Sequence, residues 1–167
     1  MEEVKIFKGM MAGSREHERQ ENYDIMAEHG YFRPTPKERK EIKKAFETIN
    51  ITIYGNGFDL INRATKKYLD KGTLTKHIKN VTLYELKSTW RTNVTDKFKG
   101  FSFGITSNEL KNNTQLGNHF KIIFLNGNTK KIHTQSFKSI GKFYANTCHF
   151  FTVGKKNKAA DLENLIR

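Results

Sequence analysis

Apolar residues recur along this chain at two periods, and the switches between them mark where helices give way to strands. Residues 14–28 are polar and charged, with Tyr23, Met26 and Ala27 at helical spacing and Gly30 placed to end the helix. Tyr31-Phe32-Arg33-Pro34 reads as a short connection, because Pro34 turns the residue before it away from helical geometry. The next helix carries its own start signal: Thr35 as cap, Pro36 at the first helical position and Glu38 completing a Thr-x-x-Glu box. Ile42, Ala45, Phe46 and Ile49 then repeat at the spacing of one buried face. Past Asn50 the period drops to two. Ile51 and Ile53 alternate with Thr52 and Tyr54, which predicts a strand entering Gly55-Asn56-Gly57, and residues 58–61 form a second extended segment.

Residues 65–80 are rich in Lys and polar groups and read as a loop or insertion. Residues 81–89 make the strongest strand pattern, and 101–106 another. Ser107 or Asn108 is placed to cap a helix through Leu110 and Leu116, with Gly117 to stop it. Residues 119–125 form a further apolar strand closed by an Asn126-Gly127 turn. Residues 137–144 read as helical, 148–153 as a last strand, and the tail from Gly154 as solvated apart from a short helix near Leu162. Residues 1–13 look like a flexible arm, and no repeat or linker divides the rest, so 14–167 is expected to be one domain. The predicted fold class is α/β, a central mixed sheet of about four or five strands with helices on both sides.

Composition adds a partner. The chain has 167 residues, 36% of them hydrophobic, including 13 Phe, enough for a sizeable core. No apolar run is long enough for a membrane span and no secretory pattern opens the chain, so an intracellular protein without a membrane partner is expected. A single cysteine, Cys148, excludes an internal disulfide and any multi-cysteine zinc site. Thirty Lys and Arg against 17 Asp and Glu leave a net charge of +13, which favours a polyanionic partner, nucleic acid first. The bland reading of that charge is a solvated, lysine-rich surface.

The chemistry gathers on two segments. In the strand Val81-Thr82-Leu83-Tyr84-Glu85-Leu86-Lys87, alternation puts Val81, Leu83, Glu85 and Lys87 on one face. Two ionisable groups beside a core are costly unless they pair or bind something. A strand-end salt bridge is one outcome, and a metal-ligating carboxylate beside a lysine that positions a water is the other. Asp59 favours the second. Of the acids between positions 50 and 100, Asp70 and Asp96 lie in lysine-rich loop sequence, whereas Asp59 and Glu85 lie in apolar strand contexts. Two carboxylates converging in a basic protein suit a hard divalent cation, Mg²⁺ or Mn²⁺.

Asp59 followed by Glu85-x-Lys87 on a later strand resembles the PD-(D/E)xK nuclease superfamily, with its restriction-endonuclease-like fold. Gly57-Phe58-Asp59-Leu60-Ile61 is similar to the glycine-aromatic-aspartate form of the first motif, and Tyr84-Glu85-Leu86-Lys87-Ser88-Thr89 to the second. The stretch from Phe103 to Leu110 resembles the strand-to-helix passage that follows, and 119–124 the next strand. The sequence departs from the pattern twice. Phe58 stands where proline often precedes the aspartate, and Asp59 and Glu85 are 26 positions apart (85 − 59), a long connection. The resemblance implies that Asp59 and Glu85 hold the metal and that Lys87 contacts the attacking water. It also implies that a glutamate from the preceding helix joins them, for which Glu38 is the candidate unless it serves only the capping box. The implied activity is Mg²⁺-dependent hydrolysis of double-stranded DNA, in a restriction, homing or related phage or mobile-element role, with a homodimer plausible. A non-catalytic basic nucleic-acid-binding or inhibitor protein is the alternative. Lys66, Lys67, Lys76, Lys79, Arg91, Lys97 and Lys99 are the candidate phosphate contacts.

Other signals are weaker. Six scattered histidines show no i, i+4 pair, so no zinc motif appears. Trp90 and Tyr84 suit a core or rim position better than base stacking, and Cys148 beside His149 suits packing better than nucleophilic catalysis. Gly55-Asn56-Gly57-Phe58-Asp59 is also similar to the opening phrase of a phage-resistance family, but nothing downstream extends that likeness.

Overall fold

The computed structural model describes residues 19–136, 140–145 and 148–153. The expected N-terminal arm (1–13) and the tail after Gly154 lie outside them. A first helix, described over 19–28 (α1), runs through a turn at Gly30, whose φ of +82° suits glycine, into a short edge strand, β1 (Tyr31–Phe32). The segment expected to be a mere connection therefore pairs with the sheet. Helix α2 (Pro36–Glu47) starts as its sequence predicts: Thr35 caps it, and the capping box with Glu38 is closed in both directions. Then follow β2 (Leu60–Asn62), α3 (Arg63–Asp70), a 3₁₀ turn over Thr75–Asn80, β3 (Leu83–Thr89), β4 (Ser102–Ile105) and α4 (Ser107–Leu116). The chain closes with β5 (Phe120–Asn126), β6 (Lys131–Gln135), β7 (Ile140–Ala145) and β8 (Cys148–Val153).

Five strands form a mixed sheet in the order β1-β2-β3-β5-β6, with β3 and β5 parallel and the other pairs antiparallel. The fold is α/β, as expected. Strand alternation gives this sheet two apolar faces. Leu83, Ile122 and Phe124 meet Ile42, Ala45 and Phe46 of α2 on one side, and Tyr84, Ile123 and Leu125 meet Tyr23, Ile25 and Met26 of α1 on the other. Each fully buried side chain of this size contributes roughly 1.5–3 kcal/mol, so both faces are anchored and the register of β3 is fixed. Strands β4, β8 and β7 make a separate antiparallel sheet in that order.

Other expectations differ from the structure as well. Residues 51–54 alternate in burial but form no strand: the amide of Ile51 donates to Phe46 O, and the main chain of Tyr54 is held by a side chain, so no ladder partner is needed. Residues 65–80 are not a loop. Asn62 caps α3 through Thr65 N, and Thr65, Leu69, Leu74 and Ile78 are buried. The lysines that dominated the composition of this stretch concealed a short amphipathic pattern. The 140–145 part of the segment expected to be helical is strand β7, paired along its length with β8. Antiparallel pairing with the next strand, from Ala145 opposite Cys148 to Ile140 opposite Val153, overrides the weak helical spacing there. Strand β6, with one wall open, gave too little periodicity to be foreseen.

Candidate active site

The site begins at the loop before β2. The side chain of Asn112, fully buried on α4, accepts from Tyr54 N at 2.7 Å and donates to Tyr54 O and Gly57 O at 3.0 and 3.1 Å. Arg39 on α2 donates to Asn56 O at 2.6 Å and to Phe58 O, and its guanidinium lies over the Phe58 ring. Gly57 sits at φ +80°, where a Cβ would stand 2.3 Å from the Ile53 side chain, so only glycine fits this turn. The polar groups of an irregular segment are thus satisfied by two helices, which fix the direction of the next residue. That residue is Asp59.

Antiparallel pairing sets Leu60 opposite Tyr84 and Ile61 opposite Leu83. One further step along that register brings Asp59 level with Glu85. The Asp59 amide donates to Tyr84 O at 2.8 Å, and its Oδ2 accepts from Leu86 N at 3.0 Å. Lys87, two residues on and therefore on the face of Glu85, donates from Nζ to Glu85 Oε1 at 2.7 Å. It also donates to Glu109 Oε2 at 3.2 Å. Glu109 comes from the first turn of α4, where its carboxylate and the Thr106 side chain close a second Thr-x-x-Glu box. Asp59, Glu85 and Glu109 line one cleft of about 280 Å³.

Charge is unbalanced within the cleft. Burial first, and then the neighbouring charge of Asp59, push the Glu85 carboxyl up to about 9, against the opposing pull of Lys87. Burial disfavours the Lys87 ammonium, but Glu85 and Glu109 outweigh it and hold its pKa above the ordinary lysine range. Arg39 is lowered by burial, with the charges of Asp59 and Glu85 opposing that effect. Three carboxylates crowd two cations here. A divalent cation relieves such crowding, and the donors fit one: Asp59 and Glu85 offer two carboxylates, the number that Mg²⁺ commonly takes alongside water and phosphate oxygens. Among the described residues no group of three or more His, Cys, Asp and Glu could hold a metal ion, so the protein's share of such a site is these two carboxylates.

The chain was compared with protein-family models, curated proteins and solved structures. None matches.

The structure sets Asp59 and Glu85 on one cleft and pairs Lys87 with Glu85. It does not bring Glu38 to them: that carboxylate closes the α2 capping box and pairs with Lys66 at 2.5 Å, and these contacts outweigh its burial and lower its pKa. The acid that joins the site is Glu109, from the following helix. Its signal was in the sequence, since Thr106-Ser107-Asn108-Glu109 repeats the spacing of Thr35-Pro36-Lys37-Glu38.

The expected phosphate contacts are spread over several elements. Lys66 is engaged by Glu38 and Asp70. Lys67 is on α3, Lys76 and Lys79 on the 3₁₀ turn, and Lys97 and Lys99 in the loop before β4. Of the seven, Arg91 lines a cavity that reaches Asp59. Arginines supply the rest of the positive charge there: Arg19 lines that cavity too, and Arg19, Arg33 and Arg39 line a neighbouring one of about 360 Å³ that also ends on Asp59. Among the described residues no helix is long and apolar enough to cross a membrane.

Proposed function

We propose that this protein is a metal-dependent endonuclease that hydrolyses DNA phosphodiester bonds at Asp59, Glu85 and Lys87. The observation that supports the reading is that Asp59 and Glu85, from two separated segments, line one cleft, with Lys87 paired to Glu85 and arginines lining a neighbouring cavity that also reaches Asp59. The strand bearing Glu85 and Lys87 is followed by β4, which lies in the separate sheet, by helix α4 and by β5 parallel to β3, an order similar to the strand-to-helix passage of several PD-(D/E)xK members.

In that reading Asp59 and Glu85 hold Mg²⁺ or Mn²⁺. The bound ion supplies neutralisation of charge on the phosphate and a more acidic water. Asp59 is positioned for this because Leu86 N donates to its Oδ2 and fixes the direction of the carboxylate. Lys87, held charged between Glu85 and Glu109, places a proton donor beside the reacting oxygens and keeps the carboxylates from repelling the phosphate. Arg19, Arg33, Arg39 and Arg91 grip the flanking backbone, where planar guanidinium groups match phosphate oxygens in pairs.

Supercoiled plasmid incubated with the full chain in Mg²⁺ is expected to be nicked or linearised, and to stay intact in EDTA or with Lys87→Ala. The loss in rate should be at least about 100-fold. Plasmid that is retarded on a gel but uncut in every metal tested would mean a binding protein without catalysis.

A further inference from the structure

A larger cleft lies on the other side of Asp59. Its wall is built around Trp90, the residue that follows β3. Side chains of the β5–β6 turn fasten the main chain at this point: Asn128 donates to Trp90 O, and Asn126 to Arg91 O at 3.2 Å. The amide of Gly127 donates to Thr89 O at 2.8 Å. A Cβ on Gly127 would stand 2.5–2.6 Å from three adjoining carbons of the indole, a spacing possible only over the ring face. Glycine at 127 therefore lets the turn press against one side of the ring. The indole then stands as a braced wall of a cleft of about 670 Å³ that also reaches Tyr23, Arg19, Arg91 and Asp59.

Two polar atoms in this wall are unpaired. Asn22 donates from its amide to Ser88 Oγ at 2.9 Å, yet its Oδ1 has no partner, and neither has the indole Nε1 of Trp90. Both atoms are shielded from solvent. An unsatisfied acceptor and an unsatisfied donor are costly to leave in one wall. The flat face of a nucleobase matches an indole, and Asn22 lines the same cleft beside it. The volume lies within the range of about 300–1,000 Å³ typical of small-ligand clefts, so one nucleotide fits and a duplex does not.

We propose that this cleft receives a single unpaired or extruded nucleobase, stacked on Trp90, while its phosphodiester lies at Asp59. The proposal rests on the nuclease reading and narrows its substrate to nucleic acid with an unpaired nucleotide next to the cleaved bond. Extrusion costs least where a base is already unpaired or mismatched, so such sites are preferred over continuous duplex.

Trp90 is the sole tryptophan of the chain, so intrinsic fluorescence reports on this cleft alone. The full chain in EDTA is titrated with a single-stranded 12-mer, with a blunt duplex of that sequence, and with the same duplex carrying one bulged nucleotide. Saturable quenching by the single strand and the bulged duplex is expected, with binding several-fold weaker for the blunt duplex. With a labelled strand followed by polarisation, Trp90→Leu should bind about ten-fold more weakly and Trp90→Phe nearly as well as the parent. Asn22→Ala should weaken the single strand more than the duplex. Equal affinity for all three nucleic acids, or binding that leaves the fluorescence unchanged, overturns the proposal. Because these titrations need no metal and no turnover, they succeed or fail independently of plasmid cleavage and its loss in Lys87→Ala.

Discussion

The main-chain amide of Leu86 donates to Oδ2 of Asp59 across 3.0 Å, so the strand that carries Glu85 and Lys87 also orients the acid beside them. Strand β2 begins only at Leu60, and the edge of β3 beyond that pairing would otherwise expose a free amide. Asp59 takes that place. One side chain thereby completes the sheet edge and faces the cleft, which ties the geometry of the site to the most buried part of the fold.

The first prediction concerns Glu85 and pH. Its carboxyl is pushed up to about 9 by burial and by Asp59, whereas in the unfolded chain it titrates near 4.5. Between those values the native state keeps a proton that the unfolded state has released, so stability falls as pH rises. The contribution is complete below about 4.5 and lost by about 9, as the folding equilibrium shifts by up to about tenfold per pH unit. Glu85→Gln stays neutral throughout. Urea unfolding in EDTA should show the variant near the parent at pH 4.5 and increasingly more stable at pH 7 and 9. Parallel curves for the two proteins would contradict the assignment.

Metal binding should release that proton. At pH 7 a cation that takes Glu85 as a ligand must displace it, so affinity for Mn²⁺ is expected to rise by up to about tenfold per pH unit below 9. Calorimetric titrations in two buffers of different ionisation enthalpy read the number of protons released directly. Close to one proton per ion is expected for the parent and close to none for Glu85→Gln. An equal release from both proteins would remove Glu85 from the metal site.

A third prediction isolates the loop that aims Asp59. Asn112 makes three hydrogen bonds to Tyr54 and Gly57 from a fully buried position. Asn112→Ala leaves a buried amide and two carbonyls without these partners, which costs about 2–4 kcal/mol. Thermal melts should show that loss. At a temperature where the variant is still folded, cleavage should fall by about tenfold or more while DNA affinity stays near that of the parent. A destabilised variant with full activity would show that the loop does not position the acid.

Much of this arrangement was legible from residue order alone. The 81–89 pattern fixed the face shared by Glu85 and Lys87, and the apolar setting of Asp59 separated it from the solvated Asp70 and Asp96. What escaped was information held in tertiary contacts. Residues 51–54 look like a strand because their burial alternates, but the Ile51 amide turns back to Phe46 O and the main chain of Tyr54 is held by Asn112, 58 positions away. Glu109 escaped because a capping glutamate looks purely structural until Lys87 is seen to share its carboxylate. The arginines around Asp59 escaped because lysines dominate the count of positive charge while three of the arginines sit singly on α1, α2 and the turn between them.

Glu109 gives the last prediction. Its carboxylate serves two partners at once, the Thr106 amide at 2.9 Å and the Lys87 ammonium at 3.2 Å. Glutamine also completes a capping box, so Glu109→Gln should keep the start of α4 while removing one negative charge from the cleft. That charge raises Lys87 and also raises Glu85. Its loss therefore lowers both pKa values, and the whole pH–rate profile should move toward lower pH, the limb for deprotonation of Glu85 and the limb for deprotonation of Lys87 together. Glu109→Ala removes cap and charge alike and should in addition lower stability by about 1 kcal/mol. Comparing the two variants separates the cap from the charge. A displaced profile in both, with lost stability only in the alanine variant, is the expected pattern. An unmoved profile in Glu109→Gln would reduce Glu109 to a helix cap.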